Sequence, residues 1–195
     1  MERIVAAISQ EIERLCREWS HILIAIDGRC ASGKSTLAAA LQKVCGGNLF
    51  HMDDFFLTPQ LRTEERLSEP GGNVDYERFL EEVLIPIGRR EAFVYRPYDC
   101  QEQEMSDAIR VEPLAVNIVE GAYACHPSLF ERYDLRIFVT IDEAEQSRRI
   151  RERNGEIQAA QFKTQWIPLE EGYFSAYGIK ERCELCFDTT TASLD

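Results

Sequence analysis

Between the apolar run HILIAID and the helix-forming TLAAALQKVCGG stands GRCASGKS, residues 28–35, a full match to G-x-x-x-x-G-K-[ST]. Each residue type at that spacing has its own task. Gly28 and Gly33 let the backbone turn tightly and aim several N–H groups at one phosphate chain. Lys34 adds a point charge on the outer phosphates, and the Ser35 hydroxyl is a ligand for magnesium. A buried strand before the loop and a helix after it are the context this chemistry needs. The nucleotide-binding set is therefore Gly28, Arg29, Cys30, Ala31, Ser32, Gly33, Lys34, Ser35 and Thr36.

The rest of the chain alternates helix and strand. Ile4, Val5, Ile8, Ile12, Leu15 and Trp19 recur at helical spacing, which predicts an amphipathic helix over residues 2–19. The runs HILIAID, NLFHMDD, LAVNIVEGAY and LRIFVTID, with ELCFDT as a final candidate, are nearly all apolar. Strands of that kind, separated by helices, predict an α/β fold: a P-loop NTPase-type parallel sheet with helices on both faces and a small lid. We expect a single P-loop domain over 1–195, in which 58–112 is a substrate-side insertion and about 146–156 the lid. Within the insertion, LSEPGGNVDYERF predicts a turn and a helix start, and AFVYRPYDC and AIRVEP two short antiparallel strands.

Charge and cysteine content narrow the partners. A net charge of -12 argues against a chain that wraps a nucleic-acid backbone. No apolar run approaches a membrane span, and the charged N-terminus is unlike a secretory signal, so a cytoplasmic location is expected. Seven scattered cysteines make no disulfide framework. Cys183 and Cys186 lack the second pair that a zinc site would want and are expected to pack as small hydrophobes. Oligomeric state is not legible.

A GTPase would carry N-K-x-D and D-x-x-G, and neither occurs. A small-molecule kinase needs a carboxylate near the acceptor hydroxyl, magnesium ligands and a cationic lid. HMDDFF, 51–56, offers Asp53 and Asp54 at a strand end beside the loop. Alternation along a strand would send these carboxylates to opposite sides and leave Asp54 facing solvent or capping a turn. Glu120 ends a strongly apolar strand, where an unpaired carboxylate is costly unless it meets metal or solvent. SRRIRERNG follows a capping pattern made by Asp142 and Glu145, and places Arg149 and Arg153 on one helical face as phosphate-clamping candidates.

GRCASGKS, MDDFF, VDYERF, YRPYD, IVEGAY, YDLRIFVTID and SRRIRER occur in an order and spacing that resemble the uridine kinase-like P-loop kinases over roughly 22–153. That group includes uridine/cytidine and nicotinamide riboside kinases and, more distantly, phosphoribulokinase and pantothenate kinase. The resemblance implies ATP as phosphoryl donor, Mg2+ as cofactor, and a small-molecule acceptor. It implies Asp53 and Lys34 as catalytic residues, and Ser35, Glu120 and Asp53 around the metal. Arg149 and Arg153 would lie in the lid, with Asp53, Phe56, Asp75 and Tyr98 on the substrate side. Read from the residues alone, Asp75 serves equally as a helix cap and Tyr98 as a packed aromatic. A nucleoside 5′-hydroxyl such as that of uridine is the expected acceptor. YDCQEQEM lacks the histidine expected of uridine kinases, and MDDFF is as close to the nicotinamide riboside branch. Nicotinamide riboside, pantothenate, and a nucleotide-binding regulatory protein with little turnover stay open.

Overall fold

The structure, a computed structural model, describes residues 1–192. In chain order α1 (Glu2–Glu18) leads to β1 (Ile22–Gly28), α2 (Lys34–Cys45) and β2 (Asn48–His51), which runs into a 3-10 turn, Met52–Phe55. Then come α3 (Glu64–Ser68), α4 (Tyr76–Phe79), a π-helical turn and α5 (Ile85–Arg89). Four short strands follow: β3 (Phe93–Tyr95), β4 (Tyr98–Asp99), β5 (Glu104–Met105) and β6 (Ile109–Val111). The remainder is β7 (Val116–Glu120), α6 (Pro127–Phe130), β8 (Leu135–Thr140), α7 (Glu143–Gln161), a second π-helical turn, α8 (Ile167–Tyr177), α9 (Ile179–Arg182) and β9 (Leu185–Asp188).

The predicted parallel sheet is present, with five strands in the order β2-β7-β1-β8-β9. Every residue of β1 is buried, because β7 and β8 flank it and both of its faces are covered. Ile22, Ile24 and Ile26 pack with Ile8, Ile12, Leu15 and Leu37 from α1 and α2. Leu23 and Ala25 face the other way, into a core containing Phe50, Phe55, Phe79 and Phe174. This period-two division is what places helices on both faces. The loop 28–33 thereby leaves the carboxyl end of the central strand, where ligands of open α/β sheets bind.

Several expectations change in detail. Trp19 does not extend the apolar face of α1: the helix ends at Glu18, Trp19 turns into extended backbone and is 60% exposed. The second strand stops at His51, so Asp53 and Asp54 lie on the 3-10 turn and strand alternation does not apply to them. The ladder ends there because its partner ends: His51 pairs with Glu120, the last residue of β7. The antiparallel pairing predicted between AFVYRPYDC and AIRVEP is found as β3 with β6, and a second two-stranded sheet, β4 with β5, which the sequence reading does not predict, lies between them in the chain. Arg149 and Arg153 both precede a break in α7 at Gly155, where φ is 78° and ψ 168°. No helix among the described residues is long and apolar enough to cross a membrane.

Candidate active site

The loop is held from below by β8. Arg29 N–H donates to Val139 O, 3.1 Å. Gly28 adopts φ +136°, and a Cβ there would lie 2.0 Å from Val139 O, so only glycine fits. Gly33, in the left-handed region, starts α2 and points its N-terminus at the loop. Lys34 is buried, and its Nζ donates to Gly28 O at 2.8 Å and Arg29 O at 2.9 Å. The ammonium therefore sits against the loop's own carbonyls.

Ser35 and Glu120 meet: Ser35 Oγ donates to Glu120 Oε2 at 3.1 Å. Glu120 is only 5% exposed, and its other oxygen, Oε1, lies 2.6 Å from His51 Nδ1. That bond and the neighbouring aspartates raise the His51 pKa. The carboxylate's burial, a puzzle for an isolated residue, is thus answered by two donors.

Asp53 stands beside this group. It is open to solvent, yet surrounding protein and then the Glu120 carboxylate raise its pKa, against Lys34, His51 and Arg153, whose charges oppose the rise. Its turn is fixed from two sides: Arg78 Nη2 donates to Asp54 O at 2.9 Å, and Asp75 N–H to Phe55 O at 2.7 Å. Gly121, at φ +139°, lets the end of β7 approach it; a Cβ there would lie 2.8 Å from Met52 Cβ. Asp54 is half-buried, and burial is the main cause that raises its pKa, so it is less open to solvent than alternation predicts.

The structure distributes the remaining candidates unevenly. Asp75 is buried and caps α4, its Oδ1 accepting Arg78 N–H at 3.0 Å. Tyr98 is buried, and its hydroxyl has no hydrogen-bond partner among the described residues. Phe56 is partly buried and forms a single bridge with Val74. Arg149 is anchored: it bonds Glu145 Oε1 at 2.8 Å, Thr189 O at 2.7 Å and Ala31 O at 3.4 Å, tying the loop to the C-terminal turn. That places it in the frame of the site, unlike the mobile clamp expected of a lid. Arg153 is exposed, bonds Asn154, and its charge reaches both Asp53 and Cys30.

Sequence reasoning passed over four residues. His51, within HMDDFF, has no role that its own sequence context assigns. Asp27, fully buried, accepts from the N–H groups of Gly28 at 2.6 Å, Tyr123 at 3.2 Å and Cys125 at 2.9 Å, and from the Tyr173 hydroxyl at 2.9 Å. An aspartate ending an apolar strand was the available signal. Glu170 and Glu171 of α8 grip consecutive loop residues: Glu170 Oε2 accepts Cys30 N–H at 2.8 Å, and Glu171 pairs with Arg29 through two bonds, 2.6 and 3.1 Å. Their signal was two adjacent acids within an aromatic segment.

The oxygens of Ser35, Glu120 and Asp53 are the hard donors magnesium prefers. Among the described residues no group of three or more His, Cys, Asp or Glu is arranged to hold a metal by itself. A magnesium ion here would therefore complete its shell with nucleotide phosphates and water.

No family model matches the chain. It is similar in structure to a possible uridine kinase from Bacillus stearothermophilus, with TM-score 0.67 and 19% identity over 93% of this chain and 100% of the other. It is equally similar to a protein described provisionally as a fructose transport system kinase from Silicibacter sp. TM1040, with TM-score 0.67 and 25% identity over 94% and 98%. An uncharacterised protein from Eubacterium ventriosum matches at TM-score 0.50 and 15% identity over 90% and 92%. With the loop, the sheet order and the flanking helices, these likenesses show a P-loop kinase fold along the described chain, without singling out one acceptor.

Proposed function

We propose that the protein transfers the γ-phosphoryl group of ATP to a hydroxyl of a small metabolite, best fitted by the 5′-hydroxyl of a nucleoside such as uridine or cytidine. The observation that carries this reading is the Ser35–Glu120–His51 chain beside Asp53, at the mouth of the loop. The loop's N–H groups and the α2 N-terminus bind the phosphates. Lys34 exchanges the carbonyls of Gly28 and Arg29 for the outer phosphate oxygens, and Arg153 adds positive charge on the Asp53 side. Ser35, Glu120 and Asp53 would hold magnesium, which when bound would supply neutralisation of the charge that develops on the transferred group. Asp53 accepts, or holds in line, the acceptor hydroxyl's proton; positioning and charge stabilisation supply the rest of the rate.

On the acceptor side, the buried Tyr98 hydroxyl has no hydrogen-bond partner among the described residues, a cost of about 1–3 kcal/mol that a polar acceptor group would relieve if its binding opened access to that oxygen. Asp75 and Phe56 complete the proposed acceptor side. A sugar hydroxyl is a second reading, favoured by the provisional description of the Silicibacter protein. Nicotinamide riboside fits MDDFF as well as uridine does, and pantothenate is the remaining small acceptor. Seven free thiols suit the reducing cytoplasm. The test is ADP release from ATP with magnesium against a panel of uridine, cytidine, nicotinamide riboside, pantothenate and fructose. Stimulation by one acceptor is expected. ATP binding without stimulated turnover by any would sink the enzyme reading in favour of a nucleotide-binding regulatory protein.

A further inference from the structure

We infer that His51 is a positioning residue for the proposed phosphoryl transfer: it locks the Glu120 carboxylate in the rotation that turns the Ser35 oxygen toward a magnesium–nucleotide. The inference rests on the phosphoryl-transfer reading.

The argument begins with register. Parallel pairing sets His51 opposite Glu120 at the last rung of β2 and β7, so the two side chains meet where both strands end. The terminal torsion of a glutamate is broad and two-fold, and a lone carboxylate would rotate. Here each oxygen has its own donor, His51 Nδ1 on Oε1 at 2.6 Å and Ser35 Oγ on Oε2 at 3.1 Å. Because the Ser35 proton is committed to Glu120, the lone pairs of its oxygen are left for a cation. His51 would thus act on the metal through Glu120, as hydrogen-bond partners of ligating carboxylates do.

The role does not depend on the charge of the imidazole. Nδ1 donates to a carboxylate in the neutral tautomer that this bond selects and in the cation alike. The side chain is 44% exposed and is not part of either core, so truncating it removes the bond while sparing the packing. Glu120, Asp53 and Asp54 are the acidic groups acting on it. A histidine that merely closed a strand end would not need to meet the one buried carboxylate that also holds the loop serine.

The experiment compares the full-length protein with His51→Ala and His51→Asn, whose side-chain amide nitrogen sits close to where Nδ1 does. Mn2+ affinity is measured by paramagnetic relaxation of water in the presence of ATP, and ATP affinity by calorimetry without a divalent cation. In His51→Ala, Mn2+ affinity should fall by about 10–100-fold. Metal-free ATP affinity should stay within about twofold, and His51→Asn should recover most of the loss. Unchanged Mn2+ affinity in His51→Ala overturns the inference. So does an equal loss in both variants, or a parallel loss of metal-free ATP binding, since each assigns His51 to the strand end alone. Wild-type protein that binds ATP but no Mn2+ with it overturns the phosphoryl-transfer reading itself, a result distinct from failure of the His51 role.

Discussion

Asp53 and Asp54 are adjacent in sequence and differ in what surrounds them. Asp53 is open to solvent and subject to the charges of Glu120, Lys34 and Arg153. Asp54 is half-buried, while its carbonyl receives Arg78. A 3-10 turn, in place of a strand, separates the two carboxylates. For Asp53→Asn we expect kcat to fall by ~10²–10⁴-fold, the scale of a lost general base, with ATP affinity within about twofold. Asp54→Asn should change kcat by less than about threefold. Steady-state kinetics with the best acceptor, beside calorimetric ATP titration, checks both. If the larger kinetic effect follows Asp54, the proton-accepting role belongs to that residue.

At the scale of elements, α8 stands out because its start is tied to the loop from which the site is built. Glu170 is 6% exposed and shares its surroundings with Lys34 and Asp27; burial is the largest influence on its carboxyl and raises its pKa. Bonded to a loop N–H, it brings negative charge close to where phosphates would bind. Glu170→Gln keeps a carbonyl acceptor for Cys30 N–H and removes the charge. At pH 8, magnesium–ATP should then bind about fivefold tighter, roughly 1 kcal/mol for a like-charge interaction in a partly screened site. Glu171→Gln, which loosens the part-exposed pair with Arg29, should shift affinity by less than about twofold. Unchanged or weaker binding in Glu170→Gln would show that the carboxylate shapes the loop without opposing the nucleotide. These contacts also mark what a sequence can reveal. GRCASGKS dictates its own backbone, and the cost of burying Glu120 can be argued from one strand. His51 and Glu120 are 69 positions apart, and Cys30 and Glu170 are 140 apart, so their meeting depends on register and helix docking that no local pattern contains. The alternation argument for Asp53 and Asp54 failed for the same reason, since the length of β2 is set by where β7 ends.

For the molecule as a whole, acid stability reports how the helical face opposite α1 and α2 is assembled. His126 is 2% exposed and caps α6 through Nδ1, which accepts Ser128 N–H at 3.3 Å. Its ring stacks on Tyr76 at 3.9 Å and lies near Tyr173 and Tyr177 of α8, so it joins three elements of the fold. Nε2 has no hydrogen-bond partner among the described residues; the Glu69 carboxylate stands 3.8 Å away. Burial, and then the Arg66 charge, lower its pKa from 6.5 to about 4, with Glu77 opposing. The folded state therefore refuses a proton that the unfolded chain accepts below pH 6.5. Stability from this residue is complete above that pH and is lost as pH falls toward 4. Between pH 7 and pH 5 the loss is ~2 kcal/mol. Asp27 and Glu170, whose buried carboxyls are raised, act with the opposite sign, so the contribution is isolated by difference. Urea unfolding of wild type and His126→Phe at both pH values provides it. The variant keeps a stacked ring but loses the α6 cap, and is expected to be less stable at pH 7. It should lose ~2 kcal/mol less than wild type on going to pH 5. Equal losses in the two proteins would mean that His126 is protonated without opening the Tyr76 stack, and that acid reaches this fold through its carboxylates instead.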